Sequence, residues 1–164
     1  MSVLSKGEIE RLINEKKMVS DYKDLASQLQ PCGIDLTAKA IFSFTEGGSV
    51  DFDNSKRIIA SNLQPVPFGH LKPGVYKIVL NEIVSIPLDV MALARTRSTL
   101  LRNGASVQTA VWDPGYSGRS ECMLVVSNPH GITIHEGAKV LQLIFFTLDK
   151  ETKGYSGRFH MENI

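Results

Sequence analysis

The sequence predicts a mainly β, sandwich- or barrel-like protein that begins with a short helix. After Gly33, apolar and β-branched residues recur in short runs, and Gly, Pro or Asn occupies most of the gaps between them. The runs follow one another without interleaved helical patterns. Many short strands in close succession are typical of a β-sandwich or a β-barrel.

Composition indicates one globular domain over residues 1–164, long enough to bury a real core. The 18 Lys and Arg residues nearly balance the 17 Asp and Glu residues, so any phosphate site must depend on a few locally placed cations. The most apolar stretch, VLQLIFFTL, is too short to span a bilayer. Cys32 and Cys122 lie far apart without metal-ligand spacing, which favours reduced thiols in a cytoplasmic protein.

The N-terminal segment, residues 1–30, is predicted to be helical. A helix begins at the capping box SKGE of residues 5–8 and ends near Met18. Its apolar face consists of Ile9, Leu12 and Ile13. A second helical turn is expected over residues 22–29, and Pro31 stops it.

The rest of the chain is predicted to form strands. GIDLTAKAIFSF, residues 33–44, alternates apolar and polar residues as a half-buried strand does. The further predicted strands are VYKIVL, EIVSI, VMALA, SVQTAVW, CMLVV, GITI and KVLQLIFFTL. The tail over residues 151–164 has no strand pattern and is predicted to be mobile.

One segment carries residues suited to phosphate. Residues 94–104 place Arg97 beside Ser98 and Thr99, with Arg102 following. Arginine offers bidentate charged donors and hydroxyls add neutral ones, a combination that suits phosphate oxygens. The alternative is a capped helix whose arginines are solvated.

A second segment, VQTAVWDPGYSG at residues 107–118, places Asp113 between a strand-like run and a Pro-Gly turn. With CMLVV after it, this predicts a hairpin with an acid at its mouth; the alternative is an ordinary turn-forming aspartate. The tail offers Arg158 to a phosphate and an aromatic side chain to a base, although glycine-rich ends are more often frayed.

Taken together, these segments resemble the dUTPase and dCTP deaminase superfamily, and within it archaeal-type dUTPases of the deaminase-like branch. The resemblance covers most of the chain. It is carried by QPCGIDLTA (30–38), RSTLLRNG (97–104), QTAVWDPGYSG (108–118) and GAKVLQLIF (137–145).

The resemblance implies a distorted β-barrel or jelly-roll-like subunit in a homotrimer with active sites between chains. It implies a deoxyuridine nucleotide substrate and Mg²⁺, the ion being carried by substrate phosphates without direct protein ligands, and neither a nucleic-acid nor a membrane partner. The residues that it assigns to substrate are Arg97, Ser98, Thr99, Arg102, Gln108, Thr109, Val111, Tyr116, Gln142, Tyr155 and Arg158.

Within that set, the resemblance assigns different parts of the nucleotide to different segments. The 97–102 segment, Gln142 and the tail residues would hold phosphates. Backbone groups of residues 107–111 would bind the pyrimidine edge, and Tyr116 would pack under the deoxyribose.

The same resemblance leaves two reactions to be weighed. Hydrolysis of dUTP to dUMP and pyrophosphate needs water activated by a carboxylate, and Asp113 stands where the family keeps that acid. Deamination of dCTP needs a proton-carrying carboxylate beside the base, but Met123 occupies the corresponding position. Glu121 lies two residues earlier, on the same face of a regular strand, and a bulge or register change could bring it to the base. The favoured alternative is that Glu121 is a solvent-facing or subunit-contact residue. We therefore expect a dUTPase, with a dCTP deaminase, either alone or as part of a bifunctional enzyme, and a non-catalytic nucleotide-binding module as alternatives.

Three further expectations concern residues beside these motifs. Asp35 is expected to be structural and to accept hydrogen bonds from neighbouring backbone or an arginine. Trp112 is expected to be a core or interface anchor. The four histidines are scattered, so no zinc site is predicted.

Overall fold

The computed structural model describes residues 2–164. The helices are α1 (Lys6–Lys16), α2 (Leu25–Gln28) and α3 (Ser98–Arg102). The strands are β1 (Val19–Ser20), β2 (Leu29–Gln30), β3 (Gly33–Phe44), β4 (Leu63–Val66), β5 (Gly69–Leu71), β6 (Gly74–Leu80), β7 (Ile83–Ser85), β8 (Val90–Thr96), β9 (Ala105–Gln108), β10 (Ser117–Gly118), β11 (Glu121–Val126), β12 (Ile132–Ile134) and β13 (Lys139–Thr147). The mainly β prediction is confirmed.

One large antiparallel sheet organises the molecule. Its strand order is β8-β13-β3-β6-β11-β9, with β2 and β4 also paired to β3. Two smaller sheets, β1-β7-β10 and β12-β5, complete a nearly closed barrel. Ile9 and Ile13 of α1 pack into the same core as Phe145 of β13. No helix within residues 2–164 has the length and apolarity needed to cross a membrane.

The central strand β3 coincides with its prediction but is buried differently. The alternating pattern predicted one exposed face, whereas Ile34, Asp35, Leu36 and Thr37 are all buried. The first half of β3 pairs with β13 along one edge and with β2 along the other, and α2 contacts it. Side chains of both alternating sets are buried there. Its polar side chains consequently need partners inside the protein.

The N-terminal helices are shorter than predicted. Helix α1 begins after Ser5, but the Ser5 side chain makes no capping hydrogen bond and Glu8 pairs with Arg11 instead. It ends because Lys17 takes the left-handed conformation, with φ of 54°. Helix α2 starts only after Asp24, whose carboxylate accepts from the backbone of the first turn.

The predicted hairpin strand SVQTAVW is wrong in its second half. Strand β9 ends at Gln108, and residues 109–120 form an irregular connection to β11. Within it, Trp112 exchanges two backbone hydrogen bonds of 3.0 Å with Ala92, and β10 pairs with β7. Neighbouring strands thus satisfy this connection, so a direct continuation of the hairpin is not needed.

Glu82 is a buried acid that ties three segments together. It is fully buried, and Thr37 donates to it through both its backbone N–H and its hydroxyl, at 2.9 and 2.7 Å. The Gln28 amide donates to the same carboxylate at 2.8 Å. Burial raises the pKa of Glu82, and these hydrogen bonds oppose that rise.

We expect Glu82→Ala to lower the free energy of unfolding by about 2–4 kcal/mol, because it leaves buried donors on Thr37 and Gln28 unsatisfied. Chemical denaturation measures the change. Glu10→Ala, which removes an exposed carboxylate from α1, serves as the matched control and should shift stability by no more than about 0.5 kcal/mol. Equal effects of the two substitutions would contradict the structural role of Glu82.

Candidate active site

A cavity of about 430 Å³ opens beside the turn that carries Asp113. It is lined by Ile59, Ala110, Val111, Trp112, Asp113, Tyr116, Ser120, Glu121, Cys122, Tyr155, Phe159 and Glu162. Asp113 is exposed, while the preceding Trp112 is buried, which confirms Trp112 as a core anchor. The cavity therefore combines an exposed carboxylate with aromatic and apolar walls, a lining suited to a flat, partly apolar ligand.

The turn behind Asp113 is tightly held. The Tyr116 N–H donates to the Asp113 carbonyl at 3.1 Å, and the Gly115 N–H donates to Ile86 at 2.9 Å. Gly115 has φ of 77°, and a Cβ on it would lie 2.7 Å from the Cα of Gly154. Glycine is thus required both by the turn conformation and by the close approach of the tail.

A chain of buried hydrogen bonds runs from the core into the cavity. The Trp112 indole N–H donates to the Ser120 hydroxyl at 2.7 Å, and Ser120 and Tyr116 share a hydrogen bond of 3.0 Å. The Tyr116 hydroxyl donates to Oε1 of Glu162 at 2.8 Å. Burial raises the pKa of Tyr116, so its hydroxyl remains a donor at neutral pH.

The segment over residues 151–164 lies against this turn. The Tyr155 N–H donates to the Pro114 carbonyl at 2.7 Å, and the Met161 N–H donates to Ser117 at 2.7 Å. The Arg119 N–H donates to the Glu162 carbonyl at 2.9 Å. The tail is irregular, as expected, and it supplies three of the cavity's lining residues.

Glu121, the alternative proton carrier, lines the cavity, whereas Met123 does not. Strand β11 pairs with β6 without a register shift from Glu121 to Val126, so the bulge considered from the sequence is not present there. The Glu121 carboxylate accepts from Lys77 at 2.6 Å and from the Asn163 amide at 3.3 Å. An ion pair therefore already engages this acid, although it borders the cavity.

The thiol that lines the cavity, Cys122, is not activated as a nucleophile. Cys122 is buried, and burial raises its pKa to about 12, so it remains a thiol at neutral pH. Cys32, which lies just before β3, is exposed. Neither cysteine is disulfide-bonded.

Two of the residues expected to bind phosphate, Arg97 and Thr99, line a second cavity. This cavity has a volume of about 680 Å³ and is also lined by Lys139, His70 and His135. It shares no lining residue with the first cavity. In a single chain, the acid and the arginine motif therefore face separate depressions.

Asp35 fixes Arg97 in this second cavity. The buried Asp35 carboxylate accepts from Arg97 at 2.8 Å and from Gln30 at 3.0 Å, and Lys139 lies 4.0 Å away. This confirms the expectation that Asp35 accepts from an arginine. Burial raises the pKa of Asp35, while Arg97 and Lys139 oppose that rise by stabilising its charge. The pairing orients the guanidinium of Arg97, whose side chain is still about one-third exposed.

The other predicted site residues fall around these two cavities. Val111, Asp113, Tyr116 and Tyr155 line the first one, and Arg97 and Thr99 line the second. Within residues 2–164, neither set of lining residues includes Ser98, Arg102, Gln108, Thr109, Gln142 or Arg158. Gln142 lies on β13 in register with Asp35 and Arg95, and is half-buried.

Part of the predicted base-binding backbone is already engaged. Thr96 donates to the Val107 carbonyl at 2.8 Å and accepts from the Val107 N–H at 3.0 Å. The N–H of Val107 is therefore already committed to Thr96, within the stretch 107–111 whose backbone was expected to bind a pyrimidine edge. Only the part of that stretch beyond β9 is irregular enough to present its backbone to a ligand.

Several cavity residues had no sequence signal. Glu162 and Phe159 lie in a tail without a periodic pattern, and Ile59 comes from a distant loop. Lys139 lay inside a recognised motif, but its side chain could not be assigned without knowing that it faces Asp35. His70 and His135 line the same cavity because β5 pairs with β12.

The fold and these cavities define a mainly β protein with two separate candidate sites, and comparison with known proteins identifies its family. The family model described as dCTP deaminase-like matches residues 3–148. The chain belongs to the dCTP deaminase-like family.

Its relatives carry a narrower name. The chain is similar to a protein of Archaeoglobus fulgidus named probable deoxyuridine 5'-triphosphate nucleotidohydrolase, with 47% identity over all of this chain and 99% of that one. It is 38% identical to the deoxyuridine 5'-triphosphate nucleotidohydrolase of Methanocaldococcus jannaschii, over 80% of this chain and 88% of the relative.

A solved structure supports the fold. The 2'-deoxycytidine 5'-triphosphate deaminase from Agrobacterium tumefaciens superposes with a TM-score of 0.65 at 22% identity, over 87% of this chain. This chain matches 47% of the length of that deaminase. At this identity the likeness concerns the fold alone.

Proposed function

We propose that the protein is a dUTP diphosphatase, which hydrolyses dUTP to dUMP and pyrophosphate with Asp113 as general base. The observation that carries the proposal is the exposed Asp113 carboxylate, held by a tight turn at the mouth of an aromatic-walled cavity. The names of relatives that match the whole chain support the same activity.

In this mechanism, Asp113 orients a water molecule and accepts its proton as the oxygen attacks the α-phosphorus. A phosphorus–oxygen bond forms to the water oxygen, the bond to the bridging oxygen breaks, and pyrophosphate leaves. The buried Trp112 on one side and the Gly115 turn on the other keep the carboxylate in place. Little reorganisation is then needed at the moment of reaction.

The same cavity would hold the nucleoside. Gln108 at the end of β9 and the irregular residues Thr109 and Val111 would bind the pyrimidine edge, and Val111 lines the cavity. Tyr116, fixed through Ser120, would pack against the deoxyribose and leave no room for a 2′-hydroxyl.

The phosphates would be bound by residues of the arginine motif, by Gln142 on β13 and by residues of the tail. They are Arg97, Ser98, Thr99, Arg102, Gln142, Tyr155 and Arg158. Since the two cavities of one chain share no lining residue, we propose that a homotrimer joins the Asp113 cavity of one chain to the arginine motif of its neighbour. Each chain would act as one domain, in the cytoplasm.

We propose that Mg²⁺ binds through the substrate phosphates. Within the described chain, His, Cys, Asp and Glu side chains form no group of three that could hold a metal ion. Arg97 and Arg102 would bind phosphate oxygens that the ion leaves free. The ion supplies charge neutralisation to the triphosphate when bound.

A dCTP deaminase remains the second candidate because Glu121 lines the cavity. In that reaction water adds to C4 of cytosine and ammonia leaves, with a carboxylate carrying the protons. The Glu121 carboxylate already accepts a hydrogen bond from Lys77, so we place this reaction second.

Product analysis separates the two reactions. The purified protein is incubated with Mg²⁺ and either dUTP or dCTP, and pyrophosphate and ammonia are assayed. We expect pyrophosphate from dUTP and no ammonia from dCTP. Ammonia from dCTP would establish deamination, and neither product would leave a nucleotide-binding module.

Asp113→Asn is expected to lower kcat for dUTP by about 10²- to 10⁴-fold, because an amide cannot accept the water proton. Nucleotide affinity, measured by calorimetry with dUTP, should change far less. The exposed Asp149→Asn serves as the control for lost charge. Normal turnover by the Asp113→Asn protein would remove Asp113 from the mechanism.

Sharing of sites between chains is tested by complementation. Asp113→Asn and Arg102→Ala proteins are each expected to be nearly inactive, but their co-expressed mixture should regain activity. With even mixing, about one quarter of the sites contain both native residues, since each comes from a different chain. A mixture as inactive as its parents would place the whole site within one chain.

A further inference from the structure

The loop over residues 156–160 is fastened at both ends to the Asp113 turn of its own chain. At its first end, the Tyr155 N–H donates to Pro114 at 2.7 Å. The Tyr155 ring meets Tyr116 edge to face, with centroids 5.8 Å apart and planes at 71°. The loop carries Arg158, which is exposed, and Phe159, which lines the cavity.

The second end is fastened by residues 161–163. The Met161 N–H donates to the Ser117 carbonyl at 2.7 Å, and the Arg119 N–H donates to the Glu162 carbonyl at 2.9 Å. The Asn163 amide donates to the Arg119 carbonyl at 3.1 Å. These are mostly backbone contacts, so side chains contribute to this anchor mainly through Asn163 and Glu162.

Glu162 is the residue that reaches from the tail into the cavity. Its Oε1 accepts from the Tyr116 hydroxyl at 2.8 Å, at the end of the chain of hydrogen bonds that begins at Trp112. Burial raises the pKa of Glu162; the Tyr116 hydrogen bond and Lys77 oppose the rise, and Glu121 adds to it. A carboxylate in a cavity for an anionic nucleotide opposes binding through its charge, so its contribution must lie elsewhere.

We propose that Glu162 is a positioning residue that, together with the backbone contacts, fastens the C-terminal end of the 156–160 loop to Tyr116 and so restrains the segment that carries Arg158. The substrate in this inference rests on the proposed function. A five-residue loop fixed at both ends has few conformations, and loss of the Glu162 side-chain contact loosens one end although its backbone hydrogen bonds remain. Arg158 would then meet the phosphates only part of the time.

Steady-state kinetics with dUTP test the proposal. We expect Glu162→Ala to raise KM about tenfold with kcat nearly unchanged, the effect of losing one charge-assisted hydrogen bond used in binding. Glu162→Gln should retain a near-native KM, because the amide oxygen still accepts from Tyr116. In a Tyr116→Phe background, Glu162→Ala should add little, because the donor is already gone.

The sign of the change distinguishes positioning from simple repulsion. If Glu162 only repelled the substrate, both Glu162→Ala and Glu162→Gln would lower KM, and the proposal would be overturned. An unchanged KM in Glu162→Ala would overturn it equally. Met161→Ala is the matched control, since this neighbouring side chain is exposed and its anchor is the backbone N–H.

Limited trypsin digestion gives a readout that does not depend on dUTP. Cleavage after Arg158 should be faster in Glu162→Ala than in the native and Met161→Ala proteins, while thermal unfolding temperatures remain alike. Equal cleavage rates would show that Glu162 does not fasten the loop. If the native protein released no pyrophosphate from dUTP, the proposed function would fail, and the digestion would still decide the role of Glu162.

Discussion

The connection between β9 and β11 leaves the large sheet, so other segments must satisfy its backbone groups, and the candidate site depends on how they do so. Trp112 pairs with Ala92, β10 pairs with β7, and the tail supplies further partners to Ser117 and Arg119. Buried backbone groups cost free energy when unpaired, so these neighbours determine the path of the connection. That path leaves the Asp113 carboxylate exposed beside a cavity instead of in a paired strand.

Buried carboxylates organise the region around β3 in two different ways. Within residues 2–164 no cation forms a salt bridge with Glu82, which accepts from Thr37 and Gln28, whereas Asp35 pairs with Arg97. The first carboxylate joins α2 to the sheet. The second carboxylate, Asp35, orients the Arg97 guanidinium in advance. Arg97 therefore loses less side-chain conformational entropy when it binds a phosphate.

Much of the fold was predictable because its strongest signals are local. The strand over residues 33–44 and the strand ending at Thr147 follow from apolar runs bounded by turn residues. The strand through Trp112 was mispredicted, since an apolar run cannot distinguish a sheet residue from one whose side chain is buried in a connection. The length of helix α2 was overestimated because periodicity does not show that the helix begins only after its cap, Asp24.

The sequence by itself determined the fold class, the family resemblance, and which short segments carry an acid, arginines and hydroxyls, because each of these depends on residues close together in the chain. Only the tertiary structure decided which residues meet. It separated Asp113 from Arg97 into two cavities, joined Glu162 to Tyr116 across 46 positions, and tied up Val107 through Thr96. Such contacts depend on strand register and on the path of an irregular segment, which are set by packing and hydrogen bonding across the whole barrel.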